Sequence, residues 1–355
     1  MPFKGLFRKP PVVSTTPSGD TVVTDPHGTS AEVCNTRRRL STVGFEIGYE
    51  SDGAPPSLNA SSMSDPPSIS GTVRHISFTS RVGKVPTNPN KVNQDRCWIT
   101  DIVAAPGVRY SFFGVADGHG VHGHSVAEIV RTQLGLHLEK QVPLHSDLKT
   151  AIKSAYQKLN RDIFESYLDA SFSGAATVSV LVQKNKLYCA NLGDCRCILG
   201  SHLGDRWEAI PLSRDHKPDL PDELKRITEM GGRVAPYRSR KGDPMGPARV
   251  WLQTKEVPGL AMSRSFGDKV AASVGVSSDP EITERILQPE DKILVLASDG
   301  VWEFLSSQAV LDLVTPFYKE GDARGAAELV CQSAENRWKQ EEDVVDDITA
   351  VILFF

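Results

Sequence analysis

Two stretches far apart in the chain end in the same way, and they limit what it can fold into more than any other feature. Phe112-Phe113-Gly114-Val115-Ala116 runs into Asp117-Gly118-His119-Gly120, and Ile293-Leu294-Val295-Leu296-Ala297 runs through Ser298 into Asp299-Gly300. Each apolar run reads as a buried strand that stops at a turn on the edge of a sheet. Glycine lets the backbone turn sharply or approach a ligand closely, because it has no Cβ to clash. A carboxylate and an imidazole on such a turn are well placed to do chemistry. One Asp-Gly turn is common and carries little weight alone; the second copy shifts the reading towards function.

The chain between these runs changes period several times. Val73 to Phe78 and Cys97-Trp98-Ile99 alternate like strands. Val126, Ile129, Val130 and Leu134 then recur at helical spacing, and a second helix follows Ser146 as N-cap, carrying Leu148, Ile152, Ala155, Leu159, Ile163 and Leu168. Both are amphipathic, so each is expected to cover a sheet face. Thr177 to Gln183 and Lys186 to Asn191 form a hairpin signal about Asn185, and short strands follow at 196–199 and 207–210. A short helix over 221–230 is stopped by Gly231-Gly232. Residues 233–259, rich in Arg, Pro and Gly, read as an exposed excursion. Two helices, one capped by Ser306 or Ser307 and one over 322–340, precede the final buried strand Ile348 to Phe355, entered from Asp346-Asp347. Strand pairs, helix pairs and hairpins in this order are not a βαβ alternation, so the fold class is α+β in layers.

Residues 1–70 differ in kind: they are rich in Ser, Thr, Pro and Gly and have few aliphatic runs. Such a segment buries too little apolar surface to offset the entropy of ordering, and it is expected to be a mostly disordered extension to a domain spanning 71–355. Arg37-Arg38-Arg39 before Leu40-Ser41 has the pattern of a basophilic kinase site at Ser41, and equally that of a chance basic cluster in a flexible tail.

The formal net charge of −4 gives no basic stripe for nucleic acid. No apolar run is long enough for a membrane span, the first residues lack a signal-peptide core, and Pro2 in place of Gly excludes N-myristoylation. The six cysteines include no Cys-x-x-Cys pair and read as reduced thiols. A cytoplasmic chain, with nuclear residence open, and a monomeric state are expected. Cys195 and Cys197, beside Asp194, are candidates for oxidation that tunes activity.

Asp95, Asp117, Asp194, Asp299 and Asp346 all sit at ends of apolar stretches. If the strands share a sheet, the acids gather at one edge. Clustered carboxylates repel one another, so the cluster needs a cation, and oxygen ligands select Mg²⁺ or Mn²⁺. The bland alternative is that these acids merely terminate strands. His119, His122 and His124 offer a zinc reading, against which stand their loop spacing and the surrounding acids.

The ordered motifs resemble the metal-dependent protein serine/threonine phosphatases, the PPM or type-2C family, and its plant-like branch most. They are Asn93-Gln94-Asp95, Val115 to Gly120, Ser173-Gly174-Ala175-Ala176-Thr177, Asn191 to Arg196, Asp215-His216-Lys217-Pro218, Glu229 to Val234, Ala248 to Leu252, Gly259 to Asp268, Ala297 to Glu303, and Asp346-Asp347-Ile348-Thr349. The resemblance covers about residues 73–355 and implies a central β-sandwich of two antiparallel sheets flanked by helices on both faces. It implies two metals at one end, with Asp117 bridging them, Asp299 and Asp346 on the first, and the Gly118 carbonyl and Asp95 on the second. Asp194 and Glu303 fall at a weaker third metal site. The resemblance further implies that a hydroxide bridging the metals would attack phosphorus of phosphoserine or phosphothreonine, with His119 as the general acid. The stretch 233–259 matches the variable flap. Gln94 replaces a common Glu, Glu303 a common Asp, and Asp347 a common Asn. Asn90 stands where relatives carry a phosphate-gripping Arg, and the adjacent Lys91 is the expected substitute. The competing reading is a pseudophosphatase or phosphoprotein-binding module.

Overall fold

Along the strand Val108–His119 the side chains divide by parity. Tyr110, Phe112 and Ala116 pack beneath the helices Gly123–Gln141 and Leu148–Glu165, whereas Phe113 and Val115 face a second sheet. Asp291–Ala297 repeats the pattern. Ile293, Val295 and Ala297 meet the helices Ser307–Tyr318 and Ala323–Glu341, and Leu294 and Leu296 turn inward. Ile348–Phe354 does the same, with Val351 and Leu353 inward. Successive strand residues point to opposite faces, so an apolar residue at every position means that both faces are covered.

The computed structural model is thus a four-layer α-β-β-α sandwich. It describes residues 73–355 and, in backbone alone, Val12–Thr15, Thr21–Thr24 and Ser30–Glu32, which pair as a small antiparallel sheet. Ser41 and Cys34 lie outside the described residues. One large sheet orders Arg206–Pro211, Arg196–Leu203, Asp291–Ala297, Ile348–Phe354 and His75–Arg81. The other orders Glu281–Ile286, Lys186–Leu192, Gly174–Gln183, Val108–His119 and Arg96–Ala105, with Phe266–Gly267 added against Gly174–Gln183. Every pairing within them is antiparallel, as the α+β reading requires.

Several local expectations shift. The second helix is capped by Asp147, not Ser146: its carboxylate accepts from the amides of Lys149 and Thr150, a geometry only the residue next to the first turn can reach. That helix ends at Glu165, leaving Leu168 outside it. The helix from Ser307 continues through Pro316 to Tyr318. The excursion at 233–259 is a folded three-stranded sheet of Gly232–Arg238, Pro244–Leu252 and Pro258–Leu260. Its faces are braced by guanidinium–aromatic stacking, Arg233 on Trp251 at 5.5 Å and Arg249 on Tyr237 at 4.8 Å. Arg238, Arg240 and Lys241 are exposed at its tip. Cys195 and Cys197 are fully buried, and burial pushes both thiols far above the ordinary thiol range. Only the thiolate reacts, so neither is a redox handle.

Helix Pro221–Glu229 is tied to the segment that follows the flap through one buried carboxylate. Glu223 accepts from Arg226 at 2.7 Å, Arg264 at 2.6 Å and Ser263 at 2.5 Å. Burial alone would raise its pKa; the hydrogen bonds from Arg226, Arg264 and Ser263 outweigh burial and hold it well below the ordinary range. A depressed carboxylate stabilises the fold above its unfolded value and loses that contribution as pH falls through the folded one. Glu223→Gln is therefore expected to cost about 3 kcal/mol at pH 7 in urea unfolding, the scale for breaking a buried pair. The gap from wild type should close in strong acid; an equal gap at every pH would contradict this.

Candidate active site

Strand register brings the predicted acids to one end of the sandwich. Ala297 pairs with Ala350 and Arg196, so Asp299, Asp346 and Asp194 share an end of one sheet. Arg96 pairs with Ala116 and Leu192 with Thr177, which places Asp95, Asp117 and Asp194 at the same end of the other. Asp117 has the parity of Phe113 and Val115 and so belongs to the layer between the sheets.

The five acids act on one another electrically. Burial, and then Asp95, Asp299 and Asp346, push Asp117 well above the carboxylate range. Burial, then Asp194 and Asp346, do the same to Asp299. Burial, then Asp347, raise Asp95 to about 7, although Ser298 donates to it at 2.7 Å. Asp95 Oδ1, Asp194 Oδ1 and Asp299 Oδ1 are buried without a hydrogen-bond partner. Like charges and orphaned acceptors in one place are the conditions a hard cation relieves, and oxygen donors suit Mg²⁺ or Mn²⁺. Among the described residues no three His, Cys, Asp or Glu side chains converge into a finished cage. Mg²⁺ commonly keeps several waters and takes few protein ligands, so the donor set fits such an ion.

Other predicted residues divide. Gly118 must be glycine, because a Cβ there would collide with the Gly123 carbonyl. Asp194, almost fully buried, is held by Lys217 at 2.6 Å. Glu303 contributes to the field around Glu342. Lys91 Nζ stands 2.6 Å from Asp347 and 4.0 Å from Asp346. Gln94 donates to the Gly120 carbonyl at 2.8 Å, bracing the turn after His119. The zinc reading fails for lack of converging imidazoles. His119 is committed to Asp268, while His122 and His124 open the helix Gly123–Gln141, His122 as its N-cap.

Asp268 is the functional partner that sequence reasoning passed over. His119 Nε2 lies 2.7 Å from its carboxylate, which also accepts from Ser265 at 2.6 Å. Burial would lower the His119 pKa, but Asp268 outweighs it and lifts the imidazole above its ordinary value. Asp268 sits in left-handed backbone, φ 49°, unusual for a residue with a side chain and concentrated at functional sites. Gly174 leaves the room its carboxylate occupies. His216, fully buried and pushed by burial and Arg264 to about 4, is neutral; its Nδ1 accepts from the Gly193 amide at 3.1 Å and fixes the turn carrying Asp194. The only sequence signal for these two was membership of the motifs ending Gly267-Asp268 and Asp215-His216-Lys217-Pro218.

A family model described as "Protein phosphatase 2C" matches residues 98–342. The chain is 37% identical over 292 residues to "Probable protein phosphatase 2C 35" of Arabidopsis thaliana, covering 78% of this chain and 82% of that one. It is also 37% identical over 255 residues to "Probable protein phosphatase 2C 72" of the same plant, covering 68% and 75%. Among solved structures, the serine-threonine phosphatase 2C from Toxoplasma gondii superposes with a TM-score of 0.67 at 23% identity, over 79% of this chain and 94% of that chain, a likeness of fold.

Proposed function

Because this chain belongs to the protein phosphatase 2C family, and so is a protein serine/threonine phosphatase, we propose that it hydrolyses phosphoserine and phosphothreonine at the acid cluster with divalent ions bound. Asp117 would bridge two ions, with Asp299 and Asp346 on one, and Asp95 and the Gly118 carbonyl on the other. Bound there, Mg²⁺ or Mn²⁺ supplies a water activated as nucleophile at neutral pH and neutralises charge on the phosphoryl group. The observation that carries the reading is the set of buried, unpartnered carboxylate oxygens on Asp95, Asp194 and Asp299 at the end of the sandwich that also holds His119.

The chain's own residues do the rest. His119 bonds Asp268 through Nε2, and its Nδ1 has no hydrogen-bond partner, so Nδ1 is the nitrogen left to carry a proton to the leaving serine or threonine oxygen. Asp268 orients the ring and favours its charged form. A third ion on the open Oδ1 of Asp194 would share that carboxylate with the Lys217 ammonium on Oδ2, which makes any such site weaker than the other two. The folded flap and its basic tip are the proposed determinants of substrate choice.

The test is phosphate release from a phosphothreonine peptide by chain stripped with EDTA. Mg²⁺ or Mn²⁺ should restore turnover from background and Zn²⁺ should not. Undiminished turnover after stripping would overturn the metal reading.

A further inference from the structure

Asp347 carries a carboxylate that the proposed metal centre does not use. It is almost fully buried. Its Oδ1 accepts from the Gly83 amide at 2.7 Å and pairs with Lys91 Nζ at 2.6 Å, and its Oδ2 accepts from the Gln94 amide at 2.8 Å. All three donors lie in residues 83–94, immediately before Asp95. On its other side, the Asp347 carbonyl lies so close to Gly300 that any side chain there would collide with it. The Asp347 amide donates to Asp346 Oδ1 at 2.7 Å. Asp347 therefore touches each of the three segments that deliver Asp95, Asp299 and Asp346.

Lys91 completes this arrangement. Its side chain is 18% exposed and its ammonium sits on Asp347, with Asp346 at 4.0 Å. A phosphate grip presents its donors to open solvent, where the substrate arrives; here the ammonium is committed to a buried carboxylate. Strong charge-assisted bonds of this kind hold geometry. Removing one member of a buried pair leaves the other uncompensated.

We propose that Lys91 and Asp347 form an ion-paired clamp that positions Asp95, Asp299 and Asp346 for divalent-ion binding, and that Lys91 acts through Asp347 rather than on the substrate phosphate. The inference rests on the reading of the acid cluster as a metal centre. Both are positioning residues that act through the acids they hold.

The test is a double-mutant cycle on the full chain, read by electron paramagnetic resonance of free Mn²⁺ during titration. Lys91→Met and Asp347→Asn should each weaken Mn²⁺ binding by about tenfold, the scale for groups that orient metal ligands. The double variant should be no worse than the poorer single one, because the two act as a unit. Lys91→Arg, which keeps the charge, should bind Mn²⁺ within about threefold of wild type, and inhibition of the Mn²⁺-loaded Lys91→Met chain by inorganic phosphate should move by less than about twofold. The clamp is overturned if Lys91→Met binds Mn²⁺ like wild type while phosphate inhibition and KM weaken about tenfold, or if the two substitutions add. The same cycle in urea with EDTA present measures the coupling without metal. A wild type that binds no Mn²⁺ would sink the metal reading alone, and uncoupled unfolding effects in EDTA would sink the clamp alone.

Discussion

Asp117→Asn is expected to make the metal-free protein more stable and the metal-loaded protein almost inactive. In EDTA the Asp117 carboxylate faces Asp95, Asp299 and Asp346 inside the sandwich, and burial with that repulsion drives its pKa well above the ordinary 3.8. An acid whose pKa is raised by folding binds its proton more tightly when folded. The folded state therefore loses stability as pH rises from the unfolded value towards the folded one, and the deficit persists at neutral pH. The amide has nearly the same shape and no charge, so it removes the deficit. A gain of about 1 kcal/mol, or a melting temperature higher by about 3 °C, is the expected scale at pH 7. The gap from wild type should shrink towards pH 4, where the cluster takes up protons. Activity moves the opposite way. Losing the proposed bridging ligand is expected to cost about a thousandfold in kcat, equivalent to about 4 kcal/mol of transition-state stabilisation. Melting curves in EDTA and Mn²⁺-loaded turnover check both halves; a variant less stable than wild type in EDTA would show that Asp117 serves the fold rather than the ions.

His119→Ala should separate two kinds of substrate. A serine or threonine alkoxide is a poor leaving group and needs a proton as its bond breaks, whereas an aryl oxide leaves without one. Loss of a general acid commonly costs about 10²–10⁴-fold, so turnover of a phosphothreonine peptide should fall on that scale and turnover of an aryl phosphate far less. Equal losses on both substrates would remove His119 from the role of acid. The pH profile gives the second half. Burial favours the neutral ring, but Asp268 at 2.7 Å outweighs it and lifts the His119 pKa. The acid is charged below that value, so peptide turnover should decline as pH rises through it. Asp268→Asn removes the lift, and the declining limb should move to lower pH, with kcat falling more than KM changes.

The strands and the acids at their ends were legible because burial on both faces writes itself as an unbroken apolar run, as at 293–297 and 350–354. Convergence was legible only as a condition, that the strands share sheets; the register of Ala297 with Ala350 and Arg196 supplies it. Partnerships between charged side chains left no local trace. His119 and Asp268 are 149 positions apart, and nothing near either one marks the other. Lys91 read as a phosphate ligand because its neighbourhood in sequence suggested one; its ion-pair partner, Asp347, arrives just before the last strand. The flap misled for a different reason. Its Arg, Pro and Gly content looks like an exposed loop, yet Trp251 and Tyr237 hold it together by packing against Arg233 and Arg249 across strands. The Asp147 cap differs from the expected Ser146 by one residue, below what helical periodicity resolves.

The central claim is that phosphoester hydrolysis takes place at the acid cluster with divalent ions in it. Phosphate release from a phosphothreonine peptide, measured side by side for wild type and Asp299→Asn at saturating Mn²⁺, tests it most directly. Wild type is expected to turn over steadily and the folded variant to lose about a thousandfold. Equal rates for the two would place the chemistry away from the acid cluster.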